Sequence, residues 1–142
     1  MFLGRFDHVL DEKGRLAIPA RFRSGLQEGM VLTRGTDRCL YLFPESAWTG
    51  IAARLDALPM GDPNARNLRR AAFAAAEPVE LDKQGRVVVS ERLRSYAGLT
   101  GAVAVVGMNT YIEIWEQGAW DALETRVEEQ GEILAQQMAG QF

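Results

Sequence analysis

The sequence predicts an α+β protein assembled from two copies of one small unit. Three observations carry that expectation. "LDEKGRLAIPARFR" at positions 10–23 returns as "LDKQGRVVVSERLR" at 81–94. Short runs with apolar residues at every second position surround both copies, broken by turns that contain Gly and Asp. Segments outside the copies carry apolar residues at helical spacing instead.

The repeat extends beyond its strongest block. At an offset of 71, Leu10-Asp11 falls on Leu81-Asp82, Gly14-Arg15 on Gly85-Arg86, and Arg21 and Arg23 on Arg92 and Arg94. After a one-residue adjustment Val31 falls on Val103, Gly35 on Gly107 and Trp48 on Trp120. An ordered series of this kind describes two units of about 45 residues joined by a linker.

Within a unit, "RFDHVLD" alternates with Phe6, His8 and Leu10 on one side, which predicts a strand. "DEKG" reads as a hairpin loop in which Gly14 supplies a positive φ, and "RLAI" as the return strand. Pro19 suits the first turn of a short helix because its missing N–H costs nothing there; in the second copy Ser90 stands ready to cap "ERLRSYAG". Two further strands follow in each copy, "MVLTRG" with "RCLYLF" and "AVAVVG" with "YIEIW". In the insert, Trp48, Ile51, Ala52, Leu55 and Leu58 mark one helix, and Asp62-Pro63 reads as cap and first residue of a second. From about Gln117 onward Trp120, Leu123, Val127, Leu134 and Met138 form a narrow apolar stripe. A long helix with such a stripe needs a neighbour to cover it.

Composition narrows the function classes. At 142 residues and 47% apolar content the chain is long enough for a packed core. No run approaches the ~18 apolar residues of a membrane span, the N-terminus meets charge too soon for a secretory signal, and the single cysteine, Cys39, cannot form an internal disulfide. The cytoplasm is the expected compartment. Net charge is −3, but it is unevenly spread: residues 1–112 hold 15 Lys+Arg against 12 Asp+Glu, whereas 113–142 hold Arg126 against seven acids. A local basic surface therefore coexists with an acidic tail.

Four residues cover the bend of a hairpin, so Asp11 and Arg15 face each other across its base, as do Asp82 and Arg86. A carboxylate there accepts hydrogen bonds from the loop N–H groups and fixes the arginine through a charge-assisted pair. Lys13, and Lys83 in the second copy, project at the tip. Ordinary turn chemistry accounts for the Asp and the Gly, and an exposed ion pair contributes only about 0–1 kcal/mol. It does not account for the repeated arginine, nor for Arg21/Arg23 and their counterparts Arg92/Arg94.

"LDEKGRLAIPARFRSGL" resembles the signature of the AbrB-type swapped-hairpin transition-state regulators. Two such units in one chain, together with the opening "MFLG", resemble the MraZ family in particular, over Met1 to about Trp120. The second copy departs from the pattern with Val89-Ser90 in place of Ile18-Pro19. The resemblance implies two SpoVT-AbrB domains, 5–47 and 76–119, interleaving their hairpins into one pseudo-twofold β-barrel, with a helical linker over 48–75 and a C-terminal helix over 120–142. It implies a transcriptional regulator, a repressor of the bacterial division and cell-wall gene cluster, that binds repeated sites in double-stranded promoter DNA in the nucleoid and assembles as a homo-oligomeric ring. Carried onto matching positions, Arg15 and Arg86 become DNA contacts oriented by Asp11 and Asp82, with Lys13 and Lys83 on phosphates. Arg5, Arg21, Arg23, Arg92 and Arg94 are the additional candidates. No cofactor, metal, membrane, small-molecule substrate or enzymatic activity is expected.

Other signals have plain readings. His8 has no metal or catalytic partners at recognisable spacing, Cys39 reads as a small core residue, and Trp48 and Trp120 as packing residues. "RNLRR" at 66–70 reads as a solvated helix face or a further DNA contact. "GLTGAVAVVG" lacks the phosphate-loop pattern. The competing function is an oligomeric protein-interaction scaffold that uses the acidic tail.

Overall fold

Alternation and capping place the elements where the sequence expects them. In a computed structural model describing residues 1–141, the first unit forms β1 (Arg5–Val9), β2 (Arg15–Ala17), α1 (Ala20–Arg23), β3 (Met30–Arg34) and β4 (Leu40–Pro44). The second forms β5 (Glu77–Val79), β6 (Arg86–Val88), α4 (Glu91–Ala97), β7 (Ala102–Gly107) and β8 (Ile112–Glu116). Helices α2 (Glu45–Asp56) and α3 (Pro63–Ala75) join the units, and α5 (Gln117–Glu129) and α6 (Gly131–Gln137) follow them. Asp62 caps α3 by accepting from the Asn64 N–H at 2.9 Å, with Pro63 as first helical residue. Ser90 caps α4 through the Leu93 N–H, and Gly98 ends that helix at φ +66°.

The antiparallel main sheet has the order β1-β7-β8-β4-β3-β5, and a separate ribbon pairs β2 with β6. Exchanging every strand for its counterpart reverses the order without changing it, so a pseudo-twofold axis passes between β8 and β4. The pairing is crossed. β1 lies against β7 with Phe6 opposite Val105 and His8 opposite Val103, and β5 lies against β3 with Val79 opposite Met30.

The interleaving that the resemblance implies is present, and one expectation, closure of the barrel, changes here. "RFDHVLD" and "RLAI" do not zip together as a local hairpin: each strand finds its ladder in the other unit, and the turn between them is closed by the Asp11 N–H donating to the Arg15 carbonyl at 3.0 Å. The ladder stays open where a closed barrel is expected. Among the described residues β1 and β5 are edges of the main sheet, and the β2/β6 ribbon forms a second layer across the core. With only three residues each, β2 and β6 peel away after their loops and pair with one another.

That layering explains the core. Leu16, Ile18, Val87 and Val89 from the ribbon side meet Leu32, Leu40, Leu42, Val103, Val105, Ile112 and Ile114 from the main sheet, all fully buried. Phe22 of α1 and Leu93 of α4 close the two flanks, and the rings of Phe2 and Phe6 meet Phe22 edge-on at 5.4 and 5.2 Å. Each such side chain contributes about 1.5–3 kcal/mol by leaving water. The outer face of the sheet is covered by helices: Trp48 packs on Phe43 and Phe73, while Trp120 packs on Trp115. The two tryptophans do the same job at matching positions, as expected.

The C-terminal segment is two helices, not one. Gln130, at φ −101° and ψ 2°, ends α5 and precedes α6. Val127, Ile133, Leu134 and Met138 remain exposed, Ile133 at 56%. Residue 142, the end of the expected C-terminal helix, lies outside the described residues. Among the described residues no helix is long and apolar enough to cross a membrane.

Candidate nucleic-acid interface

The repeated loops have the same internal geometry. Asp11 Oδ1 accepts from the backbone N–H of Lys13 (2.9 Å) and Arg15 (2.8 Å), and its Oδ2 accepts from Arg15 Nε at 2.6 Å. Asp82 repeats the set with the N–H groups of Gln84 (2.8 Å) and Arg86 (2.9 Å) and with Arg86 Nε at 2.8 Å. The Arg15 and Arg86 N–H groups are the main reason these carboxyls are held below their usual range, helped by the guanidinium groups and opposed by desolvation. Each arginine is held through Nε, and among the described residues no hydrogen bond engages its two terminal nitrogens.

Both arginines share one face. Leu16 and Val87 are fully buried, so their strand neighbours Arg15, Ala17, Arg86 and Val88 project outward. In the register Arg15 lies opposite Val88 and Ala17 opposite Arg86. Arg15 and Arg86 are thus diagonal neighbours roughly 7–8 Å apart. Their side chains are 32% and 27% accessible, partly covered rather than freely exposed. Lys13 and Lys83 are exposed at the tips. Their positions in the loops differ: Gln84 is the counterpart of Lys13, and Lys83 stands where Glu12 does in the first copy.

The loops brace each other across the units. The Val89 N–H donates to the Gly14 carbonyl at 2.7 Å and the Ile18 N–H to the Gly85 carbonyl at 2.9 Å. Gly14 and Gly85 adopt φ +78° and +77°, and a Cβ on either would collide with an arginine from the opposite unit: Arg94 over Gly14 and Arg23 over Gly85. Arg23 Nε also donates to the Ile18 carbonyl at 2.9 Å. Arg23 and Arg94 therefore lie against the loop glycines of the opposite unit.

The remaining candidates are dispersed. Arg21 is exposed and lies over the Phe6 ring at 5.5 Å. Arg5 is engaged with Asp7, Asp121 and Glu124 at 3.1, 2.9 and 3.1 Å, clamping edge strand β1 to α5. Arg66, Arg69 and Arg70 lie on α3 beside Met60 and Phe73, apart from the ribbon. Arg92 belongs to a group that sequence reading passes over. With Arg34 and Arg38 it lines a cleft around Tyr96. The cluster unites two units, so no local motif announces it.

Duplicated loops braced by aspartates, carried on two interleaved strand–helix units, define a tandem swapped-hairpin protein with paired cationic loops on one face. The profile of the family described as "MraZ protein, putative antitoxin-like" matches residues 1–71 and again 72–141. The chain belongs to the MraZ family. It is 50% identical over 139 residues to a protein of Herpetosiphon aurantiacus named "Transcriptional regulator MraZ", covering 98% of this chain and 97% of that protein. It is 48% identical over 139 residues to the like-named protein of Thermomicrobium roseum, covering 98% of each. The Acetivibrio thermocellus protein of that name is 40% identical, covering 98% and 97%.

Proposed function

We propose that the chain is a sequence-specific DNA-binding transcriptional regulator that represses the bacterial division and cell-wall gene cluster from repeated promoter sites. The observation that carries this reading is the presence of Arg15 and Arg86 on one outward face of the ribbon, each held by an aspartate. Nε is occupied by the carboxylate, so the two terminal nitrogens form a fork suited to the O6 and N7 acceptors of guanine in the major groove. Such a bidentate contact is worth about 1–3 kcal/mol of discrimination. Lys13 and Lys83 meet phosphates, which fix position but not sequence. The relatives named as transcriptional regulators support the same reading.

One chain offers few contacts, so repeated sites call for several chains held together. Assembly as a ring is the second part of the proposal. Its support is the exposed apolar stripe of α5–α6 among Glu128, Glu129 and Glu132, and an apolar patch of Phe73 on α3 and Met60 in the turn before it, rimmed by Arg66, Arg69 and Arg70. These surfaces are complementary in charge and apolar character and lie on different parts of the chain. Contact between them is head-to-tail, the type that closes into rings. The chain works in the cytoplasm at the nucleoid.

The test is binding to promoter DNA upstream of the organism's division genes, with salt titration. The expected result is a linear fall of log affinity with log salt, and loss of sequence preference in the Arg15→Ala/Arg86→Ala protein with its fold intact. Wild-type binding by that double variant would remove the loops from the interface and favour a scaffold that binds other proteins.

A further inference from the structure

Arg34 and Arg38 each place their guanidinium carbon 5.1 Å from the centre of the Tyr96 ring, and Arg92 lines the same open cleft with Ser95. All three arginines are exposed, and every ion pair among the described residues is made by Arg5, Arg15, Arg69 or Arg86 instead. Three guanidinium groups gathered without a carboxylate repel one another. The protein nevertheless builds the arrangement carefully. Tyr96 is fixed by its hydroxyl donating to the Gly35 carbonyl at 2.6 Å. Arg38 and its neighbour Asp37 adopt φ +64° and +62°, backbone that residues other than glycine avoid.

We infer that Arg34, Arg38 and Arg92 form a phosphate-binding site and that its ligand is a backbone phosphate of the DNA held by the loops. This rests on the DNA-binding reading above. Helix α4 lies between the two features: Glu91 and Arg94 line a cleft with Leu10, Asp11 and Glu12 of the first loop, and Ser95 borders both clefts. One helix is about 10–12 Å across, close to the ~12 Å width of the major groove. A loop seated in the groove therefore brings the cluster to the sugar–phosphate strand at its edge. Arginine forks suit phosphate oxygens.

The site occurs once per chain. In the other half Val106 and Thr110 stand in the places of Arg34 and Arg38, Gly25 stands in the place of Tyr96, and the Phe2 ring lies against Gly25. The two Asp–Arg braces are nearly symmetric, and the loop tips differ only in where the lysine stands. An anchor on one side breaks that near-symmetry and gives every chain on a series of repeats the same polarity.

The experiment compares the whole protein with an Arg34→Gln/Arg38→Gln/Arg92→Gln variant on duplexes carrying the promoter repeat, over a range of salt. The expected result is a log–log salt slope shallower by about two to three, unchanged preference for the repeat over scrambled DNA, and phosphate-ethylation interference lost on one flank. The corresponding triple Lys variant keeps the slope, which separates loss of charge from damage to the fold. An unchanged slope in the Gln variant, with sequence preference still abolished by Arg15→Ala/Arg86→Ala, overturns the site and leaves the DNA reading standing. Absence of DNA binding by the wild type overturns both. Titration with inorganic phosphate supplies a further arm: saturation that requires the three arginines, alongside an unchanged DNA slope, assigns the cleft to free phosphate and overturns the DNA assignment. Dissociation of the oligomer in the Gln variant with an unchanged slope assigns the cleft to a second copy of the chain and overturns the DNA assignment equally.

Discussion

Gly85→Ala is the sharpest probe of how the two units are joined. Gly85 sits at φ +77°, where an L side chain costs about 1–2 kcal/mol. The added methyl also overlaps the guanidinium of Arg23 from the other unit and forces it off the Ile18 carbonyl. A hydrogen bond of that kind is worth about 0.5–1.5 kcal/mol. The expected loss is therefore about 1.5–3.5 kcal/mol, a sizeable share of the roughly 5–15 kcal/mol that holds a typical domain folded. Urea denaturation of wild type, Gly85→Ala, Arg23→Ala and the double variant forms a complete cycle. Once Arg23 is gone only the backbone cost remains, so the double variant should be less destabilised than the sum of the singles by about 1 kcal/mol. A Gly85→Ala cost below about 0.5 kcal/mol, or the same cost with and without Arg23, would refute the cross-unit brace.

Two further outcomes follow from the titrating groups. Asp11 and Asp82 have folded pKa values below the ordinary 3.8, so their bracing is complete above about that pH and is lost as pH falls through the lower folded values. Wild type should lose stability more steeply than Asp11→Asn/Asp82→Asn on acidification below pH 4, measured by urea midpoints; parallel curves would contradict the brace. The Cys39 thiol is pushed up to about 12, chiefly by burial and then by Glu113 and Asp37. It should stay unmodified by a thiol reagent at pH 8 until the protein is unfolded, as followed by mass spectrometry.

Much of this architecture is legible in the sequence because it is set locally. Asp62-Pro63 and Ser90 start helices through contacts within three residues, and Gly14 and Gly85 are needed by the turns they occupy. The paired Asp-x-x-x-Arg spacing fixes each loop from within. Partnership between strands is a different matter. The alternation of Phe6, His8 and Leu10 is the same whether β1 pairs with β2 or with β7, so periodicity cannot tell a local hairpin from an exchanged one. The break at Gln130 interrupts an apolar stripe that continues in register on both sides. Arg5 reads as a spare cation until Asp121 and Glu124 are brought beside it by folding. The cluster around Tyr96 is hidden for the same reason, since Arg34 and Arg92 belong to different copies.

The crossed pairing also sets a timetable for synthesis. Arg5 meets Val106, and β2 waits for β6, so the earliest strands to leave the ribosome stay without partners until most of the polypeptide has been made. Translation of the first copy alone yields unpaired strand edges and an uncovered core, a species that is prone to aggregate or to pair with a neighbouring nascent chain. A polypeptide that must be nearly complete before it folds gains its ribbon face all at once, with both loops arriving together.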